Sequence, residues 1–217
     1  MSRVVPLPDP LPIFPLTGVI LLPGNLLPLH VFEERYRNMI QDALEGSRHI
    51  GMIQPRQPQD DEAGPPPEAQ DDHPSLFDVG GAGRLVRCEA TEQGTYVVVL
   101  QGVSRFRVRE ELPLHRGYRR VRVDPDAFPD DGIEGDFTLD AESLLERLGT
   151  LDVDLGIEID PSEIDQVPGA ALLNSLAAAL PLHPAEKQAL LEATDTAARY
   201  QLLLSLLEMG IVEPEAN

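Results

Sequence analysis

Residues 11–36 read LPIFPLTGVILLPGNLLPLHVFEERY, and this stretch decides the fold. Its apolar runs are short and are interrupted by prolines, which is typical of edge strands and bends. We expect short strands at residues 11–16 and 19–22. A turn is predicted at residues 23–25, and residues 27–32 predict a strand that is apolar on both faces.

The spacing of the apolar residues changes directly after that strand. Glu33 and Glu34 open a predicted helix, where the helix dipole favours negative charge, and Gly46 closes it. Apolar residues recur there at helical spacing and form one stripe, which consists of Tyr36, Met39, Ile40, Ala43 and Leu44.

Further strands are predicted on both sides of a loop. Residues 50–54 can return as a strand, whereas residues 55–76 are rich in Pro, Asp, Glu and Gln and predict a mobile loop. Strand-like runs follow at residues 79–90, 96–100, 105–109 and 118–123. Gly94, Gly102 and Gly117 predict turns between them. Many short strands with one inserted helix favour a small closed or half-closed barrel.

In the second half of the chain, apolar residues recur at helical spacing. Its apolar faces consist of Leu144, Leu145 and Leu148, then Leu172, Leu173, Leu176 and Leu180, then Leu190 and Leu191, then Leu202, Leu203, Leu206 and Leu207. Pro184 marks the first turn of one helix, and Thr194 or Asp195 can cap the last. Strands followed by helices predict an α+β fold, with a barrel at residues 8–123 and an acidic connector and helical bundle at residues 124–212.

Composition excludes several classes of protein. The one lysine, Lys187, follows no glycine-rich stretch, so a P-loop cannot be built, and any Ser-Lys dyad would have to use this residue, which we expect to be exposed. A lone cysteine, Cys88, excludes an internal disulfide framework, and we expect it to be an inert buried thiol. The apolar runs are too short to span a bilayer. We therefore expect a soluble, cytoplasmic protein.

The net charge of −20 is concentrated in one segment. Residues 124–165 hold 15 acidic residues and one arginine, and this segment would repel nucleic acid. The basic residues that cluster lie on two predicted strands and are Arg105, Arg107, Arg109, Arg120 and Arg122. They either form an RNA-binding face or pair with the acidic segment and dock it onto the barrel. The absence of lysines and the scarcity of aromatic residues around them favour docking.

A family resemblance rests on four stretches of sequence. Residues 11–36, with VGGAGR at 79–84, GVSRF at 102–106 and LPLHPAEKQ at 180–188, resemble the substrate-binding (N-terminal) domain of Lon proteases, in particular stand-alone bacterial members. The resemblance implies a PUA-like pseudo-barrel of mixed and antiparallel strands with one inserted helix, followed by a helical lobe. It also implies a domain that recruits damaged or unfolded polypeptide.

The resemblance therefore implies a non-enzymatic module of protein quality control, which binds unfolded or extended polypeptide and can work with a separate ATPase or protease. An ATP-dependent protease is an alternative that the absence of a Walker motif and a catalytic dyad opposes. We predict no catalytic residue, cofactor or metal, because the histidines are scattered and no serine lies in a Gly-x-Ser-x-Gly elbow. The glycine-rich residues 80–83 lead into a strand, which favours a bulge over a dinucleotide loop.

The expected binding surface is an exposed apolar groove near Pro23, with Leu22, Leu26 and Phe32 as contacts. Three polar or amphipathic residues follow, Glu33, Arg35 and Tyr36. They either form a polar patch beside the groove, or Tyr36 lies in the core and the two charged residues pair to fix the strand–helix junction. We favour the second interpretation, because buried polar groups are usually hydrogen-bonded.

Overall fold

The computed structural model describes residues 6–56, 74–124, 126–129, 131, 137, 139–140, 144, 147–148 and 168–209. In these ranges the elements are β1 (Leu11–Pro15), β2 (Leu26–Val31), α1 (Glu34–Glu45), β3 (His49–Ile53), β4 (Val79–Ala90), β5 (Tyr96–His115), β6 (Tyr118–Asp124), α2 (Gly169–Ala179), α3 (Pro184–Glu192) and α4 (Thr196–Met209). The predicted α+β architecture, with one helix inserted among strands and helices after them, is confirmed.

The sheet closes on itself to form the barrel. Its strand order is β2-β5-β4-β3-β1-β6, and β6 also pairs with β5, so that five strands form a ring and β2 lies beside it. β1 and β3 are parallel, whereas the other pairs are antiparallel. Closure depends on the 20 residues of β5, which pair with β2 and β4 first and with β6 further along.

Two predicted strands merge into β5 because Gly102 continues the strand instead of turning it. Residues 19–22, a predicted strand, form a buried irregular segment against β4 and β5. A Cβ at Gly102 would lie 2.0 Å from the Leu22 carbonyl oxygen, and one at Gly81 would lie 1.7 Å from that of Leu21. These glycines therefore admit a close backbone approach. The predicted bulge at residues 80–83 is present as a register shift between Ala82 and Gly83.

The predicted helix of the first half is α1, and its apolar stripe is buried as expected, except that Leu44 is only partly buried. Gly46 ends it, with its N–H bonded to the Ala43 carbonyl. Gly94 and Gly117 are turn residues with φ of 75° and 88°, as predicted. Residues 57–73 of the predicted loop lie outside the described residues, but its two ends are paired, since Pro55 and Leu76 form an antiparallel bridge.

The helices pack on the barrel through one cluster of buried side chains. Ile20, Leu22 and Val79 from the barrel belong to this cluster together with leucines of α2, α3 and α4 and with Leu144 and Leu148. Leu145 lies outside the described residues. The division into residues 8–123 and 124–212 stays a prediction.

The sequence placed Lys187 on the surface, and this expectation was wrong. Its side chain is buried, and Nζ donates a hydrogen bond of 3.0 Å to the Ala178 carbonyl at the end of α2. Burial lowers the pKa of Lys187. The predicted cap of the last helix is present. The Asp195 carboxylate accepts a hydrogen bond of 2.8 Å from the Ala198 N–H at the start of α4.

Candidate functional site

The strand β2 presents one free edge. In the described part of the chain it pairs with β5 alone. The Gly102 N–H donates to the Asn25 carbonyl at 2.8 Å, so Asn25 is oriented toward β5. Along an antiparallel ladder, successive residues direct their backbone N–H and C=O groups alternately toward the partner strand and away from it. The pairing of β2 with β5 has no register shift from Leu26 to Val31. Leu26, Pro28 and His30 therefore direct their backbone groups away from β5, and the missing N–H of Pro28 falls on the free edge.

The outer face of β2 is exposed and mainly apolar, with His30 as its polar member. Leu26 and Phe32 are each 64% exposed and lie at its two ends, roughly 20 Å apart at the usual strand rise. Pro28 lies between them and pairs with Val99, and His30 pairs with Val97, which is 42% exposed. We call this face, defined by Leu26, Pro28, Phe32, Val97 and Val99, the β2 surface.

The junction between β2 and α1 is held by an ion pair and a stacked aromatic pair. Arg35 Nε donates to the Glu33 carboxylate at 2.9 Å. Tyr36 is 7% exposed and stacks on Phe14 with a centroid distance of 4.1 Å. The Arg35 guanidinium lies 4.8 Å from the Tyr36 ring centroid. These contacts agree with the favoured interpretation of the three residues.

Arg35 and Tyr36 also line a cleft of about 280 Å³. Its other walls come from four separate segments and consist of Pro15, Leu16, Thr17, Pro55, Pro74 and Arg119. Burial raises the pKa of the Tyr36 hydroxyl, with smaller opposing contributions from the charges of Arg35 and Arg119. Both guanidinium groups therefore act on this one hydroxyl. No sequence pattern predicted the cleft, because the residues that line it are far apart along the chain.

The predicted contact residue Leu22 is not on the surface. It is 0% exposed and lies in the cluster beneath the helices. The adjacent Pro23 is partly buried, and its carbonyl accepts from Asn174 Nδ2 at 3.0 Å. Leu22 and Pro23 thus serve the contact with the helices, whereas Leu26 and Phe32 remain accessible.

The barrel surface beneath the helices carries hydrogen-bonded polar side chains. Asn25 Nδ2 donates to the Asn174 carbonyl at 2.9 Å. Gln54 Nε2 donates to the Pro184 carbonyl at 3.0 Å and to Gln188 Oε1 at 3.1 Å. We call this surface, defined by Asn25, Gln54 and Arg105, the covered surface.

Arg105 makes the charged contact of the covered surface. Its side chain is 3% exposed, and its guanidinium bonds both carboxylate oxygens of Asp131 at 2.9–3.1 Å. It also donates to the carbonyls of Leu191 and Ala193 at the end of α3, where a cation is favourable. Arg105 thus pairs with the acidic segment, as the docking hypothesis predicts.

Two of the other four arginines of that hypothesis also contact the acidic segment. Arg107 lies over the Phe128 ring, and Arg109 pairs with Asp124 at 3.0 Å. Arg120 and Arg122 bond within the strands or near them, to the Pro113 carbonyl, to Glu110 and to Asp9. Most of residues 124–165 lies outside the described residues. The RNA-binding alternative gains no support, since Arg105 is enclosed and Arg109, Arg120 and Arg122 are bonded to carboxylates or to a carbonyl.

Two further properties bear on function. Among the residues that the structure describes, no three His, Cys, Asp or Glu side chains are grouped so as to hold a metal ion. No described helix is long and apolar enough to cross a membrane.

The sequence of this chain is similar to known proteins over most of its length. Residues 10–209 match the family model of the ATP-dependent protease La (LON) substrate-binding domain. The chain is 31% identical over 207 residues to "Lon protease 2" of Myxococcus xanthus, which covers 93% of the chain and 24% of that protein. It is 32% identical over 219 residues to "Lon protease 2" of Sorangium cellulosum, covering 95% and 26%. The chain thus spans about a quarter of the length of these relatives.

Solved structures are similar over nearly the whole chain. A Lon N-terminal domain protein from Xanthomonas campestris matches with a TM-score of 0.59 and 25% identity, over 90% of this chain and 97% of that one. The N-terminal domain of the Lon protease of the Mycobacterium avium complex matches with a TM-score of 0.60 and 17% identity, over 92% and 98%. The second likeness concerns the fold alone.

Proposed function

We propose that this chain, which belongs to the LON substrate-binding domain family, binds unfolded or extended polypeptide on the β2 surface and has no reactive centre of its own. The relatives that carry the domain are named as proteases, and the domain occupies about a quarter of their length. The proposal assigns to this chain the recognition of polypeptide in protein quality control, in the cytoplasm, with chemistry left to a separate ATPase or protease.

The observation that carries the proposal is the coincidence of a free strand edge and an exposed apolar face on β2. The edge offers the N–H groups of Leu26 and His30 and the carbonyls of Leu26, Pro28 and His30. An extended polypeptide can add to such an edge through main-chain hydrogen bonds, and alternate side chains of that polypeptide then meet the apolar face. Main-chain pairing depends little on sequence, which suits a binder of unfolded chains.

The absence of a reactive centre is supported by how the candidate groups are used. The Lys187 ammonium is buried against the Ala178 carbonyl, so it serves the packing of α2 and α3. His183 caps α3, with Nδ1 accepting from the Ala185 N–H at 3.3 Å. The His30 ring contacts the Thr95 hydroxyl at 2.9 Å on an exposed surface. Each of these side chains has a structural partner in place of a catalytic one.

Fluorescence anisotropy with a fluorescein-labelled, reduced and alkylated protein tests the proposal. We expect saturable binding with a Kd on the order of micromolar, because one strand edge and a small apolar face form a limited interface. The double substitution Leu26→Ser and Phe32→Ser is expected to weaken binding at least about tenfold, since it removes the two most exposed contacts.

Leu114→Ser is the matched control, because Leu114 is a 46% exposed leucine in β5 that lies outside the β2 surface. It should leave the affinity unchanged. The absence of saturable binding to the unchanged chain, or equal losses in the double variant and the control, would contradict the proposal.

A further inference from the structure

The cleft beside Tyr36 lies at one end of the barrel. Pro15 ends β1 and Leu16 follows it, and Pro55 follows the parallel strand β3, so the carboxyl ends of both strands meet there. Arg119 joins from β6, which runs antiparallel to β1 and pairs Arg119 with Ile13. Tyr36, stacked on Phe14, belongs to the core cluster beneath. The cleft is therefore built on strands and on the first turn of α1.

Hydrogen-bond donors of positive charge face this cleft. Arg35 uses Nε and Nη2 for Glu33, and Nη1 has no acceptor in the described part of the chain. The Arg119 guanidinium is bonded to Glu111 at 2.6 and 2.7 Å and to the Pro74 carbonyl at 2.8 Å, so it supplies charge while its position is fixed. The amino end of α1 adds positive potential.

The charged groups at the cleft form two ion pairs, Arg35 with Glu33 and Arg119 with Glu111. The β5–β6 turn approaches Arg35 closely, because a Cβ built at Gly117 would lie 3.2 Å from Arg35 Cβ. A positioned guanidinium with a free Nη1 is suited to a carboxylate, which accepts charge-assisted hydrogen bonds.

The remaining walls are mainly apolar, with Thr17 as the polar residue among them. Pro15, Leu16, Pro55 and Pro74 surround the charged side. A ligand that fits both parts carries one anionic group next to an apolar side chain. A free inorganic anion would leave the apolar walls unused, whereas the last residue of a polypeptide combines both features.

The geometry points to this cleft as a site for the carboxyl terminus of a bound polypeptide, with the carboxylate on Arg35 and the last side chain against Pro15, Leu16 and Tyr36. This inference rests on the proposed function. It also connects the cleft with the β2 surface, because the exposed Phe32 precedes Arg35 by three residues, at most about 11 Å between Cα atoms. Chain ends would thus be held more tightly than internal segments of the same composition.

Three fluorescein-labelled peptides test the inference by anisotropy. They share an alternating valine–serine sequence and differ at the end, which is a leucine free acid, a leucine amide or a glutamate amide. We expect the free acid to bind about tenfold tighter than both amides, because one charge-assisted interaction is lost in them. The glutamate amide carries its carboxylate on a side chain. It therefore shows whether the cleft requires the carboxylate of the chain end or accepts any carboxylate.

Arg35→Gln is expected to remove the preference for the free acid, and Arg35→Lys to retain part of it. Arg37→Gln is the matched control on the same helix, since Arg37 bonds the Gly94 carbonyl and does not line the cleft. Equal affinity for the free acid and either amide would overturn the inference and leave the proposed function standing. A preference that survives Arg35→Gln would also overturn it. If none of the peptides binds, both proposals fail together.

Discussion

The barrel has two outer surfaces that differ in how they recognise a partner. The covered surface presents Asn25, Gln54 and Arg105, whose donors are bonded to groups of the helices or to Asp131. The β2 surface presents Leu26, Phe32 and Val97 to solvent. Hydrogen bonds are directional and admit one docking geometry, whereas apolar burial is non-directional. The first surface therefore suits a fixed internal contact and the second suits varied polypeptides.

The largest effect is expected from Arg105→Ala. The substitution leaves Asp131 buried without its cation and the carbonyls of Leu191 and Ala193 without a donor. Breaking a buried ion pair costs about 3–5 kcal/mol. Urea denaturation measures this as a loss of free energy of unfolding. The control Arg107→Ala removes an exposed arginine of the same strand and should change little. Equal losses for the two variants would show that the covered surface is not specified by Arg105.

A smaller loss is expected from Asn174→Ala on the helix side of the covered surface. Its side chain donates to the Pro23 carbonyl and accepts from Arg199 Nη1 at 3.0 Å. Leaving these buried groups without partners costs about 1–3 kcal/mol. Gln201→Ala, at an exposed position of α4, is the control for a substitution by alanine in a helix. A stable Asn174→Ala variant in the same denaturation experiment would argue against hydrogen bonds as the basis of the contact.

Salt should have little effect on the contact between barrel and helices. Arg105 and Asp131 are 3% and 8% exposed, and buried pairs are screened far less than exposed ones, even at 1 M salt, where the Debye length is about 3 Å. The rate of limited proteolysis after residue 123 should therefore stay nearly constant as salt is raised. A marked acceleration would mean that exposed ion pairs hold the acidic segment.

The smallest effect on stability is expected from the variant with Leu26→Ser and Phe32→Ser. Both side chains are mainly in solvent, so the free energy of unfolding should change by no more than about 0.5 kcal/mol per site. The same variant is expected to lose polypeptide affinity, which separates the β2 surface from the covered surface. A large loss of stability would show that these residues serve the fold, and the comparison of the two surfaces would then fail.

Much of the local structure could be predicted from the sequence. The apolar stripe from Tyr36 to Ala43 predicted α1. Single residues predicted helix ends, namely Gly46, Pro184 and Asp195. Leu26 and Phe32 were also placed correctly on the surface. Patterns of this kind depend on a few neighbouring residues, and no distant segment is needed to interpret them.

Errors arose where a distant segment decided the outcome. Leu22 and Lys187 were each expected on the surface, and other elements cover both. Gly102 was expected to turn the chain, but it serves the approach of Leu22 to β5. Periodicity reports which residues share a face, and it does not report what packs on that face.

Sequence patterns were thus sufficient to predict most of the elements, their order and the family resemblance. Contacts between distant segments were needed to establish which outer surface of the barrel is closed by helices and which stays open. The same kind of contact brings Arg35, Tyr36 and Arg119 to one cleft. The physical reason is that burial, ion pairing and cleft formation depend on contacts between segments far apart along the chain, whereas strand and helix patterns are local.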